Sequence, residues 1–410
     1  MGTDPVQNLR VRAKIAIMKN EKEKKEELLS RNVENIVDRE HLNERITAGE
    51  KLRVKLGIDP TSPDLHLGHA VVLRKLREFQ DLGHKAVLII GDFTARIGDP
   101  TGRSETRKPL TEKQIKANMK AYLAQAGKII DVKKAEIHHN SDWFMKNGVN
   151  GLFKLTAAGT VNQMLEREDF RKRIKEGGDV TVTELLYPLL QGYDSVAVRA
   201  DVELGGHDQF LNLLAGRKVQ RYFGMAEQDV LTVPLLVGLD GERKMSKSYG
   251  NYIGLDDAPN DMFGKVMSVS DSLMHQYFLM CTDWKADELE GFESEIGPRD
   301  RKMRLAFEIV EIYHGEKKAR AAQENFEKLF SKKEIPDDIP PLKIKAGSAA
   351  PVDIVIASGV ARSKSDARRL VEQGGFDYNG QTIKSPFEEI SLRDGAVVKI
   401  GKKRFFRVEV

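Results

Sequence analysis

The sequence predicts an α/β fold in which a parallel sheet comes first, a helical region follows and a small α+β unit ends the chain. Strand and helix patterns alternate from residue 51 to about residue 238, as in a parallel sheet with helices on both faces. Strand patterns are then absent from residues 255–332, where the apolar spacing is helical. Residues 351–410 combine two short helical patterns with a hairpin pattern that turns near Gly401.

The strands of the first domain (residues 51–254) are short runs of apolar residues, and helical patterns lie between them. One helix begins at Thr111, where TEKQ has the Thr-x-x-Gln spacing of a capping box. Alternation of this kind predicts a Rossmann-like domain. The predicted strands are LRVKLGI, KAVLIIG, AEIHH, ADVELG and VLTVPLLVG.

Two stretches lie outside these domains. Residues 1–50 carry intermingled charges of both signs and are predicted to form a charged helical segment. Residues 333–350 contain Pro336, Pro340 and Pro341, a density that is typical of a linker. We therefore expect an extended connection before the last domain.

The overall composition excludes several classes of protein. The 410 residues have a formal net charge of +4, which is too small to indicate a nucleic-acid partner unless the charge is concentrated somewhere. The single cysteine, Cys281, excludes an intrachain disulfide framework, so we expect it to be buried and the protein to be cytoplasmic. No apolar run is long enough to span a bilayer, and no membrane partner is expected.

Two histidines open a helix directly after a predicted strand. In DPTSPDLHLGHAVVLRKLREF, His66 and His69 are three residues apart and lie on one face of the first helical turn. A helix N-terminus favours phosphate through its free N–H groups, and Gly68 lets a ligand approach the backbone. The pattern predicts a site for nucleotide phosphates, although the motif alone also fits an ordinary helix cap.

A basic loop follows the last predicted strand of the sheet. GLDGERKMSKSYGN places Lys244 and Lys247, with Ser246 and Ser248, between glycines. Lysines on such a loop suit closure over a polyphosphate, where they neutralise the charge of a departing pyrophosphate. By itself the loop also fits a solvated surface, but its pairing with the earlier histidine motif is highly specific.

Together, HLGH and KMSKS resemble the signature pair of the class I aminoacyl-tRNA synthetases. From about residue 35 to residue 410, the chain resembles the bacterial-type tyrosyl-tRNA synthetases in particular. The resemblance implies two steps: tyrosine and ATP form tyrosyl-adenylate and diphosphate, and the tyrosyl group is then transferred to the 3′ end of tRNA(Tyr). The resemblance to the tyrosyl enzymes also rests on the segments GIDPTSPDLHLGH, IGDPTGR, LLYPLLQGYD and GGHDQ.

The resemblance assigns a tyrosine pocket. Tyr187, Gln191 and Asp194 are spaced i, i+4 and i+7 and share one helix face, which independently fits a lined pocket, although a core helix fits it as well. The resemblance implies that Tyr187, Gln191 and Asp99 hold the substrate ammonium. It also implies that Asp194 accepts the phenol hydroxyl, a contact that phenylalanine would leave unmade. The implied tyrosine-binding residues are Asp99, Tyr187, Gln191, Asp194 and Gln209.

The other implied roles concern ATP. The histidines would stabilise the α-phosphate region, the KMSKS lysines would act on the pyrophosphate, and Asp208 would contact the ribose. We expect Mg²⁺ to enter with ATP, without a metal site made by the protein alone and without a bound prosthetic group. The implied catalytic residues are His66, His69, Lys244 and Lys247. The implied ATP-binding residues are Gly57, Asp59, Thr61, Gly68, Arg103, Arg107, Asp208, Ser246 and Ser248.

Two positions depart from the family pattern. Lys55 stands two residues before Gly57, where many bacterial relatives have a tyrosine that helps to bind the substrate hydroxyl. His207 stands where relatives often have a smaller hydroxyl residue. The contact made by that tyrosine is therefore not transferred, and we expect the polarity of the pocket to differ near Lys55.

The last domain resembles an S4-type RNA-binding domain. In ARSKSDARRLVEQGGFDYNGQTI, Ser363 and Asp366 have capping-box spacing before a short basic helix. Basic side chains on such a module suit phosphate contacts to structured RNA. The resemblance implies that the domain meets the long variable arm of tRNA(Tyr). The implied RNA-binding residues are Arg362, Lys364, Arg368 and Arg369.

Three alternatives remain open. A tryptophanyl-tRNA synthetase would share the sheet and both motifs, but LLYPLLQGYD and the S4-like end argue against it. A different nucleotidylyltransferase with HxGH is disfavoured by the helical region and the last domain. A synthetase-derived RNA-binding protein without catalysis is disfavoured by the intact motifs.

The family resemblance also implies a homodimer.

Overall fold

The computed structural model describes residues 22–101, 110–330, 339–344, 347–361, 363–401 and 404–409. The chain divides into two compact units, residues 1–316 and 317–410. The predicted site residues Arg103, Arg107 and Arg362 lie outside the described residues. No helix in the described ranges has the length and apolar character that crossing a membrane requires. The predicted domain boundaries stay a prediction.

A six-stranded sheet forms the centre of the first unit, in the order β1-β6-β5-β2-β3-β4. Each predicted strand of the first domain is present, and neighbouring strands are parallel except at β1, which pairs antiparallel with β6. The strands are β1 (Asn35–Val37), β2 (Arg53–Ile58), β3 (Lys85–Ile90), β4 (Glu136–His139), β5 (Val202–Gly206) and β6 (Asp229–Val233).

The order of the strands places a cleft at the carboxyl end of the sheet. The chain runs outward from β2 through β3 to β4, and then returns to the other side of β2 to form β5 and β6. Strands β2 and β5 are therefore neighbours whose following segments leave in opposite directions. In open α/β sheets this switch point is where ligands bind, and the order of the parallel strands is that of a Rossmann-like fold.

Helices connect the strands of the sheet. The predicted capping box at Thr111 is confirmed, because its hydroxyl accepts from Gln114 N–H at 3.4 Å and Gln114 Oε1 accepts from Thr111 N–H at 3.0 Å. The helices are α1 (residues 22–30), α2 (Arg39–Thr47), α3 (Leu67–Asp81), α4 (Glu112–Ala126), α5 (Ser141–Thr156), α6 (Val161–Leu165), α7 (Glu168–Lys175), α8 (Val182–Val198) and α9 (Phe210–Tyr222). Short 3₁₀ helices cover Thr94–Arg96, His207–Gln209, Lys247–Tyr249 and Asp271–Leu273.

The segment 1–50 is more than the charged helix that was predicted. Between α1 and α2 it contributes β1, which adds an antiparallel edge to the sheet. A three-residue strand among charged residues has too little periodicity to be seen in a sequence, and its conformation comes from pairing with β6. Lys75 on α3 holds the end of α1 by donating to the carbonyl oxygens of Leu28 and Arg31 at 3.0 and 2.7 Å.

Helices alone follow the KMSKS segment in the described part of the first unit. Two of them begin with proline, which suits the first turn because that turn does not use its N–H groups. Cys281, at the end of α11, is buried as expected. The helices are α10 (Pro259–Met267), α11 (Met274–Cys281), α12 (Ala286–Glu295) and α13 (Pro298–His314).

The second unit has an α+β core. The hairpin that was predicted near Gly401 is confirmed, since β12 and β13 pair antiparallel around it. One sheet has the order β10-β9-β12-β13-β7, and β11 pairs with β8. The helices are α14 (Glu316–Phe330), α15 (Pro351–Ala357) and α16 (Lys364–Glu372). The strands are β7 (Pro341–Lys343), β8 (Ser348–Ala349), β9 (Phe376–Tyr378), β10 (Gln381–Thr382), β11 (Ile390–Ser391), β12 (Val397–Ile400) and β13 (Arg404–Glu409).

The stretch predicted as a linker includes two short strands. Within residues 333–350, β7 pairs in parallel with β13 and β8 pairs with β11. Pro341 is tolerated because β7 lies at the edge of its sheet, where a missing N–H interrupts no ladder. The proline density was therefore a sign of an edge strand as well as of an extended connection.

Candidate active site

A cleft of about 440 Å³ opens where the carboxyl ends of β2 and β5 meet the start of α3. It brings together every predicted catalytic, ATP-binding and tyrosine-binding residue that the structure describes. These residues are Gly57, Asp59, Thr61, His66, Gly68, His69, Asp99, Tyr187, Gln191, Asp194, Asp208, Gln209, Lys244, Ser246, Lys247 and Ser248. Arg103 and Arg107 lie outside the described residues.

The two motif histidines are neutral at pH 7. Burial, together with the charges of His69, Lys247 and Lys244, lowers the pKa of His66 to about 2. Burial and the charge of Lys247 lower the pKa of His69 to about 4. The backbone N–H of His66 donates to His69 Nδ1 at 3.2 Å, so the proton of neutral His69 is on Nε2. His69 can therefore donate a hydrogen bond from Nε2 without carrying a charge.

Gly68 is needed by the shape of the motif itself. A Cβ atom at this position would lie 3.0 Å from two ring atoms of His66, Cε1 and Nδ1. A side chain here would therefore require the His66 ring to shift by a few tenths of an ångström. This is a second reason for glycine here, beside the close approach of a ligand to the backbone.

Buried backbone hydrogen bonds connect the chain around the two motifs. Leu67 N–H donates to the carbonyl of Ile253 at 3.0 Å, and Leu255 N–H donates to the carbonyl of Leu65 at 2.9 Å. The chain just after the KMSKS segment is thus paired with the chain that enters α3. This pairing keeps the lysines beside the histidines although the two motifs are far apart in sequence.

Both lysines of the KMSKS segment contact acidic or polar groups of the cleft. Lys244 Nζ donates to the carboxylate of Asp208. Lys247 Nζ donates to Ser62 Oγ at 2.8 Å and to the backbone carbonyl of Asp64. Burial lowers the pKa of Lys247, and the Asp64 carboxylate opposes this effect. The lysines are held by groups that phosphate oxygens could replace.

Two hydrogen bonds to one carboxylate, that of Asp59, form the next part of the cleft. The hydroxyl of Tyr187 donates to Asp59 Oδ2 at 2.8 Å, and Thr94 Oγ1 donates to Asp59 Oδ1 at 2.7 Å. Burial, and then the negative charge of Asp59, raise the pKa of Tyr187 well above its ordinary value. A Cβ on Gly91 would lie 1.9 Å from Asp59 Oδ1, so only glycine leaves room for this carboxylate.

Asp194 is a buried carboxyl group with a strongly shifted pKa. It is 4% exposed, and burial raises its pKa to about 7 against the lowering effects of Lys55, Trp143 and Asn140. Trp143 Nε1 donates to Asp194 Oδ1 at 3.0 Å, and Asn140 Nδ2 donates to Oδ2 at 3.4 Å. These donors orient a polar acceptor at the wall of the cleft.

Asp99 and Gln209 form a second polar group in the cleft. Gln209 Nε2 donates to Asp99 Oδ2 at 2.7 Å. Asp99 Oδ1 accepts from the backbone N–H and the hydroxyl of Thr101 at 3.0 and 2.7 Å. Asn212 Nδ2 donates to Gln209 Oε1 at 2.8 Å and so orients the amide. Two of the residues that were predicted to bind tyrosine are therefore in direct contact.

Lys55 is not part of the wall of the cleft. Its side chain is 0% exposed, and Nζ donates to Glu203 Oε1 at 2.8 Å, to Ser195 Oγ at 2.8 Å and to the Gln191 carbonyl at 3.0 Å. We expected Lys55 to change the polarity of the pocket, but its charge instead belongs to a buried ion pair behind α8. His207 also points elsewhere, with its ring stacked on Phe210.

Comparison with known proteins agrees with this geometry. A model of the class I tRNA synthetases for tryptophan and tyrosine matches residues 47–331. The chain belongs to this synthetase family. A model of the S4 domain matches residues 351–394. The resemblance predicted from HLGH and KMSKS, and with it an aminoacyl-tRNA ligase, is confirmed.

Relatives of this synthetase cover nearly its whole length. The tyrosine–tRNA ligase of Thermotoga maritima is 50% identical, over 94% of this chain and 97% of the relative. That of Aquifex aeolicus is 49% identical, over 91% of this chain and 95% of the relative. The crystal structure of the Archaeoglobus fulgidus tyrosyl-tRNA synthetase with L-tyrosine has a TM-score of 0.59 and 24% identity, over 74% of this chain and 99% of that one. At that identity the likeness supports the fold alone.

Sequence reasoning missed several polar residues of the synthetase that support the cleft. Asn140 and Trp143 follow β4 and reach Asp194, while Thr94 follows β3 and reaches Asp59. Their position just after the carboxyl end of a parallel strand is a signal that a sequence contains. The sequence does not show which partner each residue contacts, because that depends on the packing of α8 over the sheet.

The described residues of the synthetase offer no group of three or more His, Cys, Asp or Glu side chains that could hold a metal ion.

In the second unit, the described residues among those predicted to bind RNA are exposed on or beside α16. Each is paired with a nearby carboxylate, and exposed pairs of this kind are weak, so the cations can exchange partners. The pairs are Lys364 with Asp353, Arg368 with Glu372 and Arg369 with Asp366.

Proposed function

We propose that this enzyme activates tyrosine with ATP in the cleft between β2 and β5 and then transfers the tyrosyl group to tRNA(Tyr). The observation that carries the proposal is that the HLGH histidines and the KMSKS lysines line one cleft together with the buried carboxyl of Asp194. The names of the relatives support tyrosine as the amino acid.

At the amino-acid end, Asp194 accepts the phenol hydroxyl of tyrosine. The indole of Trp143 and the amide of Asn140 hold this carboxylate in place. Phenylalanine would leave the buried carboxylate without that partner, and an unpaired buried charge disfavours its binding. Tyr187, Gln191 and Asp99 bind the ammonium group, and Gln209 orients the carboxylate of the substrate.

At the nucleotide end, the substrate itself supplies the nucleophile. An oxygen of the tyrosine carboxylate attacks the α-phosphorus, a P–O bond forms, and the bond to the leaving diphosphate breaks. Neutral His69 donates from Nε2 to the developing negative charge, beside His66. Lys244 and Lys247 exchange Asp208 and Ser62 for oxygens of the diphosphate. Catalysis then consists of positioning and electrostatic stabilisation.

Mg²⁺ is expected to accompany ATP. Such an ion would take most of its ligands from phosphates and water. Asp208 is the acidic group of the cleft that pairs with Lys244. Bound Mg²⁺ would neutralise phosphate charge.

Transfer to tRNA requires RNA contacts outside the cleft, and we assign them to the second unit. Lys364, Arg368 and Arg369 present exposed cations on or beside one short helix, as phosphate recognition requires. Replacing all three with alanine should weaken tRNA binding and reduce the slope of log K against log salt by up to about 3. Adenylate formation should be unchanged, because it does not need tRNA.

Exposed apolar side chains on α5 support a homodimer. Met145, Val149 and Phe153 are 66, 68 and 70% exposed, and they lie on both sides of a break in this helix at Gly148. Beside them is an apolar hollow of about 290 Å³. The double variant Val149→Glu/Phe153→Glu should sediment as a monomer at concentrations where the parent is a dimer. Phe387→Glu, at an exposed phenylalanine of the second unit, is the control and should leave the mass unchanged.

The test of the proposed function is ATP–pyrophosphate exchange without tRNA, with each of the twenty amino acids in turn. Exchange with tyrosine alone is expected. Exchange with tryptophan instead would retain the family and overturn the pocket. Folded protein that exchanges with no amino acid in the presence of Mg²⁺, yet binds tRNA, would indicate a synthetase-derived RNA-binding protein.

A further inference from the structure

A buried polar cluster lies between α8 and the sheet, behind the proposed tyrosine pocket. Lys55 on β2 and Glu203 on β5 form an ion pair at 2.8 Å, and both residues are 0% exposed. Ser195 and Gln228, which are also fully buried, donate to Glu203 Oε2, and the first of these bonds is 3.1 Å long. The cluster therefore satisfies both carboxylate oxygens of Glu203 without water.

One member of this cluster also reaches the cleft. Gln191 lines the cleft, and its Nε2 donates to Glu203 Oε1 at 3.3 Å. Its backbone carbonyl accepts from Lys55 Nζ at 3.0 Å. The ion pair thus contacts Gln191 through both its main chain and its side chain.

A buried ion pair is not explained by stability alone. Desolvation of two charges offsets most of their attraction, and an apolar pair of similar volume is often as stable. The pair does, however, fix the orientation of a neighbouring hydrogen-bonding group. A carboxylate can only accept hydrogen bonds, so the side chain of Gln191 must turn its NH₂ group toward Glu203. Its Oε1 is then the atom available to a ligand in the cleft.

We propose that Glu203, held in place by Lys55, orients the amide of Gln191 so that its carbonyl oxygen accepts from the ammonium group of the substrate. This inference rests on the proposed function, because it takes an amino acid to be the ligand. Glu203 and Lys55 are positioning residues that act through Gln191. The opposite orientation of the amide would place its oxygen against the Glu203 carboxylate and its NH₂ against the ammonium, and both contacts repel.

The proposal accounts for lysine at position 55. The ammonium of Lys55 provides the counter-charge that lets a carboxylate stay buried behind α8. The positive charge of Lys55 also acts on Asp194, whose pKa it lowers against the effect of burial. The same lysine therefore serves both polar ends of the proposed tyrosine pocket, although it touches neither the phenol nor the ammonium.

The test compares two ligands that differ only in the amino group. L-Tyrosine has the ammonium group, and 3-(4-hydroxyphenyl)propanoate lacks it. The binding of each is measured by calorimetry with the full chain and with two variants, Glu203→Met and the double variant Lys55→Met/Glu203→Met, in which residue 203 no longer has an oxygen that accepts from the Gln191 amide. The double variant removes both charges at similar volume, so it is the one expected to remain folded if the single variant does not.

In both variants we expect the dissociation constant of tyrosine to rise by about tenfold or more, since a charge-assisted hydrogen bond is lost. That of the desamino ligand should stay within about twofold. The control is Glu184→Gln, which removes the carboxylate of another buried ion pair of α8, with Arg173, away from the cleft. It should leave the ratio of the two dissociation constants unchanged.

Two results would overturn the proposal. An equal rise for both ligands would mean that the cluster only supports the packing of α8, and no rise for either would mean that Gln191 needs no orientation. If the parent protein itself does not bind tyrosine, the proposed function fails rather than the positioning role. The three cases are separated by the same set of titrations.

Discussion

Tyr187 donates its hydroxyl hydrogen to Asp59 Oδ2 at 2.8 Å, across 128 positions of sequence. This bond joins the middle of α8 to the chain just after β2. It therefore connects a residue proposed to bind the substrate ammonium with one proposed to lie beside ATP. The two halves of the reaction share this hydrogen bond, and its removal should affect both.

Tyr187→Phe is expected to lower kcat/KM for tyrosine in the exchange reaction by about tenfold or more, because a hydrogen bond to a charged group contributes about 1.5–3 kcal/mol. Tyr193→Phe is the matched control on the same helix, since Tyr193 pairs with Asn147 and lies outside the cleft. Equal losses in the two variants would contradict a specific role for Tyr187.

The affinity for tyrosine should depend on pH. Burial raises the pKa of Asp194 to about 7, so the carboxylate that accepts the phenol is increasingly protonated below neutral pH. Between pH 7 and pH 6 we expect the dissociation constant of tyrosine to rise by about fivefold. Calorimetry across this range measures it, and Asp194→Asn should bind weakly without the pH dependence. A flat profile in the parent protein would exclude Asp194 as the titrating acceptor.

Stability should change with pH through the same group. The pKa of Asp194 is about 7 in the folded protein against an ordinary 3.8, so between these values the folded state binds the extra proton. The free energy of unfolding therefore falls as the pH rises from about 4 to 7 and levels off above that. From pH 5 to pH 8, Asp194→Asn should gain about 3 kcal/mol relative to the parent protein in denaturant titrations. A difference that stays constant with pH would refute this.

Two glycines of the cleft should respond differently to alanine. At Gly91 a Cβ would lie 1.9 Å from Asp59 Oδ1, whereas at Gly57 no atom lies within 4 Å of the new Cβ. Gly91→Ala should lower the free energy of unfolding by about 1–3 kcal/mol and weaken tyrosine binding. Gly57→Ala should stay within about 0.5 kcal/mol of the parent protein and raise the KM for ATP instead. Destabilisation by Gly57→Ala would contradict the open space at that position.

The KMSKS lysines should matter for chemistry more than for tyrosine binding. Lys244→Ala and Lys247→Ala each remove a cation proposed to bind the leaving diphosphate, and exchange should slow by about 100-fold or more. The dissociation constant of tyrosine should change by less than about twofold. Lys133→Ala, at an exposed lysine outside the cleft, is the control and should leave both quantities unchanged.

Much of the fold could be predicted because its signals are local. Strands β2, β3, β5 and β6 are mostly buried, and the capping box at Thr111 lies within four residues. Short strands such as β1, β7 and β8 were missed, since two or three residues have no period of their own. Their extended conformation comes from β6, β13 and β11, which are distant in the chain.

The membership of the cleft could also be predicted, but its internal contacts could not. HLGH, KMSKS and the spacing of Tyr187, Gln191 and Asp194 indicate which side chains line the cleft, because each set lies on one short segment. That Lys55 pairs with Glu203, 148 positions away, and that Asp194 is buried under Trp143, depend on how α8 and α5 pack over the sheet. Hydrogen-bond direction and pKa follow from such distant neighbours, so only the tertiary structure decided them.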